Sequence, residues 1–321
     1  MIQKRCLVTG SAGFIGFHSA LALKKRGDTV VGLDNFNDYY DPKLKFAREK
    51  ILKDHGIETV HGDLCDEGLL NSLLEENSIS HFIHLAAQAG VRYSLKNPQA
   101  YVHSNLQGFT CVLEAVRRHP AIKLCYASSS SVYGLNKKVP YSVKDPTDQQ
   151  ASFYGVTKKA NELMAATYHH LYNIAVTGLR FFTVYGPWGR PDMALFSFTD
   201  AILQEKPVDI YNYGKMSRDF TYIDDIVAGI LAAVDLEGRN ELFNLGNHKP
   251  VEILTFVEIL EEALGKKAIK QLKPLQPGDI VSTYADITES LEKLHFSPKT
   301  SIEDGIPKFV EWYKKYAKGG T

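Results

Sequence analysis

Short apolar runs rich in β-branched residues alternate with longer amphipathic stretches through the first half of the chain. Five of these runs have the length of a strand: Cys6–Thr9, Thr29–Leu33, Ile57–Val60, His81–Leu85 and Leu124–Ala127. Between them, apolar residues recur at the spacing of helices. Strands that alternate with helices predict a parallel sheet with helices on both faces. The expected fold class is therefore α/β, with a doubly wound parallel sheet.

The second half of the chain is less regular. Two more strand-like runs, Ala175–Phe181 and Glu241–Leu245, are separated by a segment that contains three prolines. We therefore expect a nucleotide-binding sheet domain over residues 1–180 and a smaller C-terminal lobe over residues 181–321. The segment at about 224–245 is expected to return to the sheet.

Composition narrows the classes of partner. The 321 residues carry 37 Lys and Arg against 37 Asp and Glu, so no broad basic field is available for nucleic acid or anionic lipid. No apolar run reaches the roughly 18 residues of a membrane span. Only five residues precede the first apolar run, which predicts no leader peptide and a cytoplasmic location. We expect no nucleic-acid partner and no membrane partner.

The cysteines and histidines give no sign of a metal centre. The four cysteines are widely spaced without a CxxC motif, and the eleven histidines form no HExxH motif. Reduced thiols and the absence of a bound metal are therefore the expectations.

A glycine-rich turn follows the first predicted strand directly. Residues 10–16 read GSAGFIG and open a helical run, the context in which glycines let the backbone approach a pyrophosphate at a helix N-terminus. Asp34 ends the second strand about 20 residues later, where it would accept a ribose 2′-hydroxyl and repel a 2′-phosphate. The pair predicts NAD rather than NADP. A plain structural turn, and a turn cap for Asp34, stay open as alternatives.

Tyr154 and Lys158 form a YxxxK motif on a predicted helix, where a spacing of four residues brings both side chains to one face. A neighbouring ammonium group and the positive ring of a bound nicotinamide would both favour the phenolate and lower the tyrosine pKa toward the working range of a base. Such pairs also arise by chance on helices. The serine run 128–131, at the end of the fifth strand, strengthens the catalytic interpretation.

Together these motifs resemble the extended short-chain dehydrogenase/reductase family over essentially the whole chain. The resemblance implies a Rossmann-type sheet that binds NAD and a C-terminal lobe that binds a UDP-sugar. It implies catalysis by Tyr154, Lys158 and Ser129, with Ser129 bonded to the reacting hydroxyl. The cofactor contacts that it implies are Gly10, Gly13, Phe14, Ile15, Gly16, Asp34, Asn35, Asp63, Leu64, Leu85, Ala86, Ala87, Asn105, Tyr154 and Lys158.

The serine run also bears on the reaction. Dehydratases of this family carry Asp-Glu in that segment and decarboxylases usually carry Glu just before Val-Tyr-Gly, whereas here both places hold serine. An epimerase needs only the tyrosine and the nicotinamide. Residues 34–41, 89–94 and 180–194 resemble UDP-glucuronate 4-epimerases, which implies interconversion of UDP-glucuronate and UDP-galacturonate through a transient 4-ketone. The implied substrate contacts are Arg92, Ser129, Ser130, Ser131, Thr183, Arg190, Tyr211, Arg218 and Asp279.

Several alternatives stay open. A UDP-glucuronate decarboxylase, another UDP-sugar 4-epimerase and a non-enzymatic NAD-binding scaffold or sensor share the fold. Arg92 and Arg190 have ion pairs as an alternative role, and Arg218, expected in a loop, is the candidate for the pyrophosphate. The resemblance further implies a homodimer through helical faces at Ala100–Val116 and Tyr154–Tyr168, with burial in the core as the alternative.

Overall fold

The computed structural model describes residues 3–236, 240–276 and 278–317. Its strands are β1 Arg5–Thr9, β2 Thr29–Asp34, β3 Glu58–His61, β4 His81–His84, β5 Lys123–Ser129, β6 Ala175–Phe181, β7 Thr183–Tyr185, β8 Pro207–Ile210, β9 Ser217–Tyr222, β10 Asn240–Leu245, β11 Pro250–Glu252 and β12 Ile269–Leu272. Its α-helices are α1 Phe14–Arg26, α2 Lys43–Asp54, α3 Glu67–Glu76, α4 Val91–Lys96, α5 Pro98–Tyr101, α6 Gly108–Arg118, α7 Phe153–Tyr172, α8 Ala194–Leu203, α9 Ile223–Asp235, α10 Ile253–Leu264, α11 Thr288–Leu294 and α12 Ile302–Ala317.

In the described part of the chain, seven parallel strands form one sheet in the order β10-β6-β5-β4-β1-β2-β3. This confirms the expected α/β class. The strand order reverses at β1, which lies between β2 and β4, and ligands of such sheets bind beyond the carboxyl ends of the strands at this point. After α9 the chain returns to the sheet, because β10 pairs with β6 from Asn240 opposite Val176 to Leu245 opposite Phe181.

The described residues of the C-terminal part add two small sheets. One has the order β11-β9-β7 and the other pairs β12 with β8. Strand β7 begins two residues after β6 ends, so the small sheet lies directly beyond the carboxyl end of the main one. The C-terminal lobe therefore forms one wall of the crevice.

The main core continues from the sheet into the C-terminal lobe. One buried cluster holds Phe17 and Leu23 of α1 together with Phe220 of β9, Phe256 of α10 and Phe309 of α12. The rings of Phe220 and Phe256 are stacked with centroids 4.5 Å apart. Because the two parts share apolar contacts, they are packed as one unit around the crevice.

The helical face expected at Ala100–Val116 is interrupted. Helix α5 ends at Tyr101, residues 102–107 form a π-helical segment, and α6 follows. The wider turn directs Asn105 into the protein, where it is 1 % exposed, and leaves His103 at the surface. The apolar residues of α6 are buried in the core, so this stretch offers little apolar surface to a partner.

An ion pair joins helix α7 to the sheet. Two guanidinium nitrogens of Arg180 on β6, Nε and Nη2, each donate to one oxygen of the Glu162 carboxylate on α7 at 2.8 Å. Ser128 on β5 donates to the same carboxylate at 2.6 Å, and all three residues are buried. The helix is thereby fixed over the carboxyl ends of β5 and β6.

We expect Arg180→Met to lower the free energy of unfolding by about 3–5 kcal/mol, because it leaves the Glu162 carboxylate buried without its cation. The double variant Glu162→Met with Arg180→Met should recover most of that loss, since no uncompensated charge remains. Urea unfolding followed by circular dichroism measures both. Arg117→Met, which removes the exposed partner of Glu114, is the control and should change little; a loss as large as that of Arg180→Met would contradict the account.

Candidate active site

The crevice at the carboxyl ends of the strands contains a cleft of about 450 Å³. Its walls come from the glycine-rich turn after β1, the ends of β2 to β6, the start of α7 and the segments around residues 190, 218 and 280. Elements far apart in sequence meet here because parallel strands bring their carboxyl ends to one edge. The cleft is the candidate site for both a cofactor and a substrate.

The glycine-rich turn leaves room for a ligand at the N-terminus of α1. Gly10 has a φ of +70°, and a Cβ on Gly16 would lie 2.0 Å from the Gly10 carbonyl oxygen, so these two positions require glycine. Among the described residues, no side chain caps α1 at Gly13 and its first turn holds no acidic residue. Its free N–H groups therefore suit a pyrophosphate.

Asp34 lies at the end of β2 and lines the cleft. Its Oδ1 accepts from the Phe36 amide at 2.9 Å and its Oδ2 from the Ala12 amide at 3.1 Å. The carboxylate thus caps the following turn, which was the alternative role given for Asp34, and it also holds the glycine-rich turn in place. Carboxylate oxygens accept more than one hydrogen bond each, so the expected role as a ribose acceptor is compatible with both contacts.

The catalytic candidates Tyr154, Lys158 and Ser129 all line the cleft. The first turn of α7 carries Tyr154, and this helix begins at the cap formed by Ser152, whose hydroxyl accepts from the Gly155 amide at 3.1 Å. Lys158 is 2 % exposed, and its ammonium group donates to the Ala127 carbonyl at 2.8 Å. Ser129 ends β5, and its hydroxyl accepts from the Ser131 amide at 3.1 Å.

Of the two charges expected to lower the pKa of Tyr154, Lys158 and the nicotinamide ring, Lys158 does not do so in the chain alone. Burial raises the pKa of Tyr154 above its usual value, and a hydrogen bond with Ser129 and the charge of Arg190 offset that effect only in part. Burial also lowers the pKa of Lys158 to about 8, against the opposing influence of Glu162. The Lys158 ammonium is directed at the β5 carbonyl, which explains why its help to the tyrosine is not seen.

Hydroxyl groups and one paired cation line the substrate side of the cleft. Ser130 and Ser131 lie in the short 3₁₀ turn after β5, and Thr183 opens β7. Arg190 also lines the cleft, and its Nε lies 3.0 Å from Oδ1 of Asp192. The ion-pair alternative for Arg190 therefore holds within its own loop, although its guanidinium still faces the cleft.

Arg218 is the cation best suited to an arriving anion. It lies on strand β9, not in a loop as expected, and its Nη1 donates to the carbonyls of Ser217 and Val281 at 2.9 and 3.2 Å. No ion pair is found for it among the described residues. Burial lowers its pKa, with Asp279 and Tyr141 opposing that change. A phosphate would restore the stabilisation that burial removes.

A second cation closes the rim beside Arg218. The Nη2 of Arg92 on α4 lies 2.7 Å from Oδ2 of Asp279, and its guanidinium lies 4.2 Å from the ring centre of Tyr211. Asp279 lines the cleft, whereas Arg92 and Tyr211 lie outside its wall. The ion-pair alternative for Arg92 is thus also seen, as a contact that joins the two lobes.

Most of the expected cofactor residues form the cleft wall. Asn105 is the exception, because it lies behind the wall, accepts from the Gln88 amide at 2.8 Å and donates to Thr157 at 3.0 Å. A supporting role replaces the direct contact expected for it. The wall residues are Gly10, Gly13, Phe14, Ile15, Gly16, Asp34, Asn35, Asp63, Leu64, Leu85, Ala86, Ala87, Tyr154 and Lys158.

Sequence reasoning missed several residues of the wall and a buried arginine behind it. Tyr39 lines the cleft and donates to Asp192 at 3.1 Å. Buried Arg48 joins the glycine-rich turn to the loop before Arg190, donating to the carbonyls of Ala12 at 2.8 Å and Trp188 at 2.5 Å. Tyr39 falls in the block 34–41 that carried the resemblance, which was the available signal. Nothing in the local pattern around Arg48 distinguishes it from a surface arginine on a helix.

Comparison with known proteins identifies the fold and its chemistry. Residues 6–246 match the model of the NAD dependent epimerase/dehydratase family. The chain belongs to this family. The extended short-chain dehydrogenase/reductase resemblance and the expectation of NAD as cofactor are thereby confirmed.

Relatives within the family narrow the comparison. The chain is 52 % identical to UDP-glucuronate 4-epimerase 4 of Arabidopsis thaliana, over 98 % of this chain and 76 % of the plant protein. The crystal structure of a Bacillus cereus UDP-glucuronic acid 4-epimerase with UDP-glucuronic acid and NAD is similar with a TM-score of 0.91 and 36 % identity, over 97 % of this chain and 99 % of that one. A Thermotoga maritima UDP-glucose 4-epimerase with UDP-glucose is similar with a TM-score of 0.89 and 29 % identity, over 97 % and 99 %.

The cleft of this epimerase-family chain fits NAD. The glycine-rich turn leaves the space that side chains would fill, and Asp34 supplies an acceptor where a 2′-phosphate would be repelled. Asp63 and Leu64 after β3 and the residues after β4 complete the same wall. These residues would hold the cofactor along the switch point of the sheet.

We expect Asp34→Ala to weaken the binding of NAD by roughly tenfold and that of NADP by less, because the ribose acceptor is lost while repulsion of the 2′-phosphate disappears. Fluorescence titration of both cofactors measures the ratio. Asp38→Ala, an exposed carboxylate in the same segment, is the control. Equal losses for NAD and NADP would mean that Asp34 acts only on the turn.

Proposed function

We propose that this chain is an NAD-dependent 4-epimerase that interconverts UDP-glucuronate and UDP-galacturonate. The proposal depends above all on one feature of the cleft: Tyr154 faces a cradle of serine and threonine hydroxyls in which residues 128–131 are all serine. The relatives and solved structures named for UDP-glucuronate epimerases support the choice of sugar.

The chemistry that the chain must supply is small. NAD, when bound, provides the hydride acceptor and donor for C4 of the sugar. Tyr154 holds the proton of the C4 hydroxyl, and Ser129 orients that hydroxyl and shares its proton. Lys158, held by the Ala127 carbonyl, fixes the cofactor side of the site. Because the 4-ketone turns over and the hydride returns to its opposite face, C4 is inverted and the reaction leaves no net redox change.

The 4-ketone of a uronic acid is a β-keto acid, and it loses CO₂ when the bond to the carboxylate aligns with the ketone. Ser130, Ser131 and Thr183 offer hydroxyls to the carboxylate, and Arg190 offers a cation already shared with Asp192. Hydrogen bonds that fix the carboxylate out of alignment suppress its loss. Arg218 holds the pyrophosphate, with Asp279, Arg92 and Tyr211 at the uridine end.

The alternatives each lack a feature. A decarboxylase of this family would carry a carboxylate among residues 128–131, and the nearby Glu162 carboxylate is already bonded to Arg180 and Ser128. A UDP-glucose epimerase has no need of groups for a sugar carboxylate. A scaffold that only binds NAD needs no buried tyrosine beside a serine and a lysine. Incubation with UDP-glucuronate separates these three alternatives from the proposed activity, because each predicts a different outcome for this substrate.

We expect Tyr154→Phe to reduce interconversion by roughly 10²–10⁴-fold while the affinity for the UDP-sugar stays within about threefold, because one proton-carrying oxygen is removed and the ring is kept. NMR of the nucleotide products from UDP-glucuronate, with isothermal titration of the sugar, measures both. Epimerisation at the unaltered rate would refute the role of Tyr154.

Ser131→Ala gives the matched comparison in the same assay. It keeps the base but loosens the carboxylate, so oxidation should continue and part of the 4-ketone should appear as CO₂ and a pentose nucleotide. Substitutions at Ser130, Thr183 or Arg190 should act in the same direction. If Tyr154→Phe is inactive but none of these variants yields a decarboxylated product, the role of Tyr154 as the base is supported. The proposal that the hydroxyls protect the carboxylate is then refuted.

We further propose that the enzyme is a homodimer that works in the cytoplasm. Support for assembly comes from α7, where Val156, Leu163 and Leu171 lie seven and eight residues apart and are 44, 57 and 59 % exposed. That spacing brings them to one face of the helix. Among the described residues, no helix has the length and apolar character needed to cross a bilayer.

We expect Leu163→Glu to convert the dimer to a monomer, because it buries a charge in the apolar helical interface. Light scattering across a range of protein concentrations measures the mass. Leu291→Glu on α11, at a leucine that is 50 % exposed elsewhere, is the control and should leave the dimer intact. A monomer for the unaltered protein at high concentration would contradict the proposal.

A further inference from the structure

Three potential metal ligands of different chemistry meet at the edge of the cleft, although they lie up to 40 residues apart in sequence. Asp63 and Cys65 follow β3, and His103 lies in the π-helical segment. One donor atom from each, a carboxylate oxygen, a thiol sulfur and an imidazole nitrogen, lies within 4.8 Å of the other two. The histidine spacing in the sequence could not reveal this set, because the fold assembles it.

The imidazole of His103 lies between the carboxylate and the thiol and contacts each of them through a different ring nitrogen. The Nε2 of His103 lies 3.1 Å from Oδ1 of Asp63, and its Nδ1 lies 3.7 Å from the sulfur of Cys65. Bonds of about 2.0–2.3 Å to zinc separate neighbouring ligand atoms by roughly 3.3–3.6 Å. The three groups are within 4.8 Å of one another, so a cation can join them once the His103 ring turns to direct one of its nitrogens at the same ion as the thiolate and the carboxylate.

The three groups are also accessible. All four cysteines lie in the described part of the chain, and Cys65 alone among them is not buried. The side chains of His103 and Asp63 are 49 % and 39 % exposed. An ion can enter from solvent, and a water molecule can take the fourth position, whereas the other thiols are closed to it.

We propose that Asp63, Cys65 and His103 form a binding site for a soft divalent cation of the zinc class. On binding, the cation forms bonds to all three side chains and the thiol releases its proton to solvent. Sulfur and imidazole ligands favour zinc over magnesium and calcium. This reverses the expectation of no metal drawn from sequence spacing.

The site shares Asp63 with the cofactor wall. A cation on this carboxylate competes with its use by the cofactor, so zinc and NAD should each weaken the binding of the other by the same factor. This coupling rests on the proposed cofactor role of Asp63. Binding of the cation itself does not, because it can be measured without turnover.

The test uses the full-length protein with a phosphine reductant, titrated with Zn²⁺ against a chromophoric chelator and with Co²⁺ by absorbance. The unaltered protein should bind one Zn²⁺, and the Co²⁺ form should show a thiolate-to-metal charge-transfer band. Cys65→Ser should abolish that band and weaken the binding of Zn²⁺ by roughly tenfold or more. His103→Gln should weaken the binding of Zn²⁺ by a similar factor. Thermal unfolding confirms that both variants are folded.

His119→Gln is the matched control, because the Nε2 of the half-buried His119 lies 3.7 Å from Glu75 in a pair that lacks a thiol. It should leave the affinity unchanged. A loss under twofold in Cys65→Ser, or an equal loss in His119→Gln, overturns the site. If the variants confirm the site but saturating NAD leaves the Zn²⁺ affinity unchanged, the shared use of Asp63 by cation and cofactor is refuted. The epimerase assay tests the proposed function separately.

Discussion

The packing of helix α7 against the ends of β5 and β6 is the constraint on which the site depends. Tyr154, Lys158 and Glu162 lie four residues apart and so share one face of the helix. Glu162 is fixed by Arg180 and Lys158 by the β5 carbonyl of Ala127. With two successive turns held to the sheet, the first turn has little freedom, and Tyr154 is positioned over the serine run, where it forms a hydrogen bond with Ser129 at the end of β5.

Charge is distributed unevenly around the cleft, and this matches a nucleotide sugar that carries a carboxylate more closely than one whose sugar is neutral. Arg218 faces the cleft without an ion pair among the described residues, whereas Arg190 is shared with Asp192. A free cation can stabilise a pyrophosphate strongly, while a partly neutralised cation beside hydroxyls can orient a carboxylate without pulling on its electrons. A β-keto acid intermediate needs orientation of that kind.

The sequence predicted the architecture well because each signal was local. Strand lengths, the glycine-rich turn with Asp34 and the YxxxK spacing follow from periodicity and backbone geometry, and the seven runs expected as strands all form strands. It failed where contacts depend on the fold: the π-helical segment that turns Asn105 inward, the link made by Arg48, and the strand position of Arg218. Those depend on which elements become neighbours, which no local pattern encodes.

The same limit explains the error about the tyrosine. Spacing predicted that Lys158 would lie beside Tyr154, and it does share the helical face, but the carbonyl of Ala127 determines where its ammonium points. Burial then dominates, and the pKa of Tyr154 is raised despite Ser129 and Arg190. The chain by itself therefore holds a protonated tyrosine at neutral pH. The remaining stabilisation of a phenolate has to come from positive charge that arrives with the cofactor, as expected for the nicotinamide ring, and this couples the base to the cofactor-bound state.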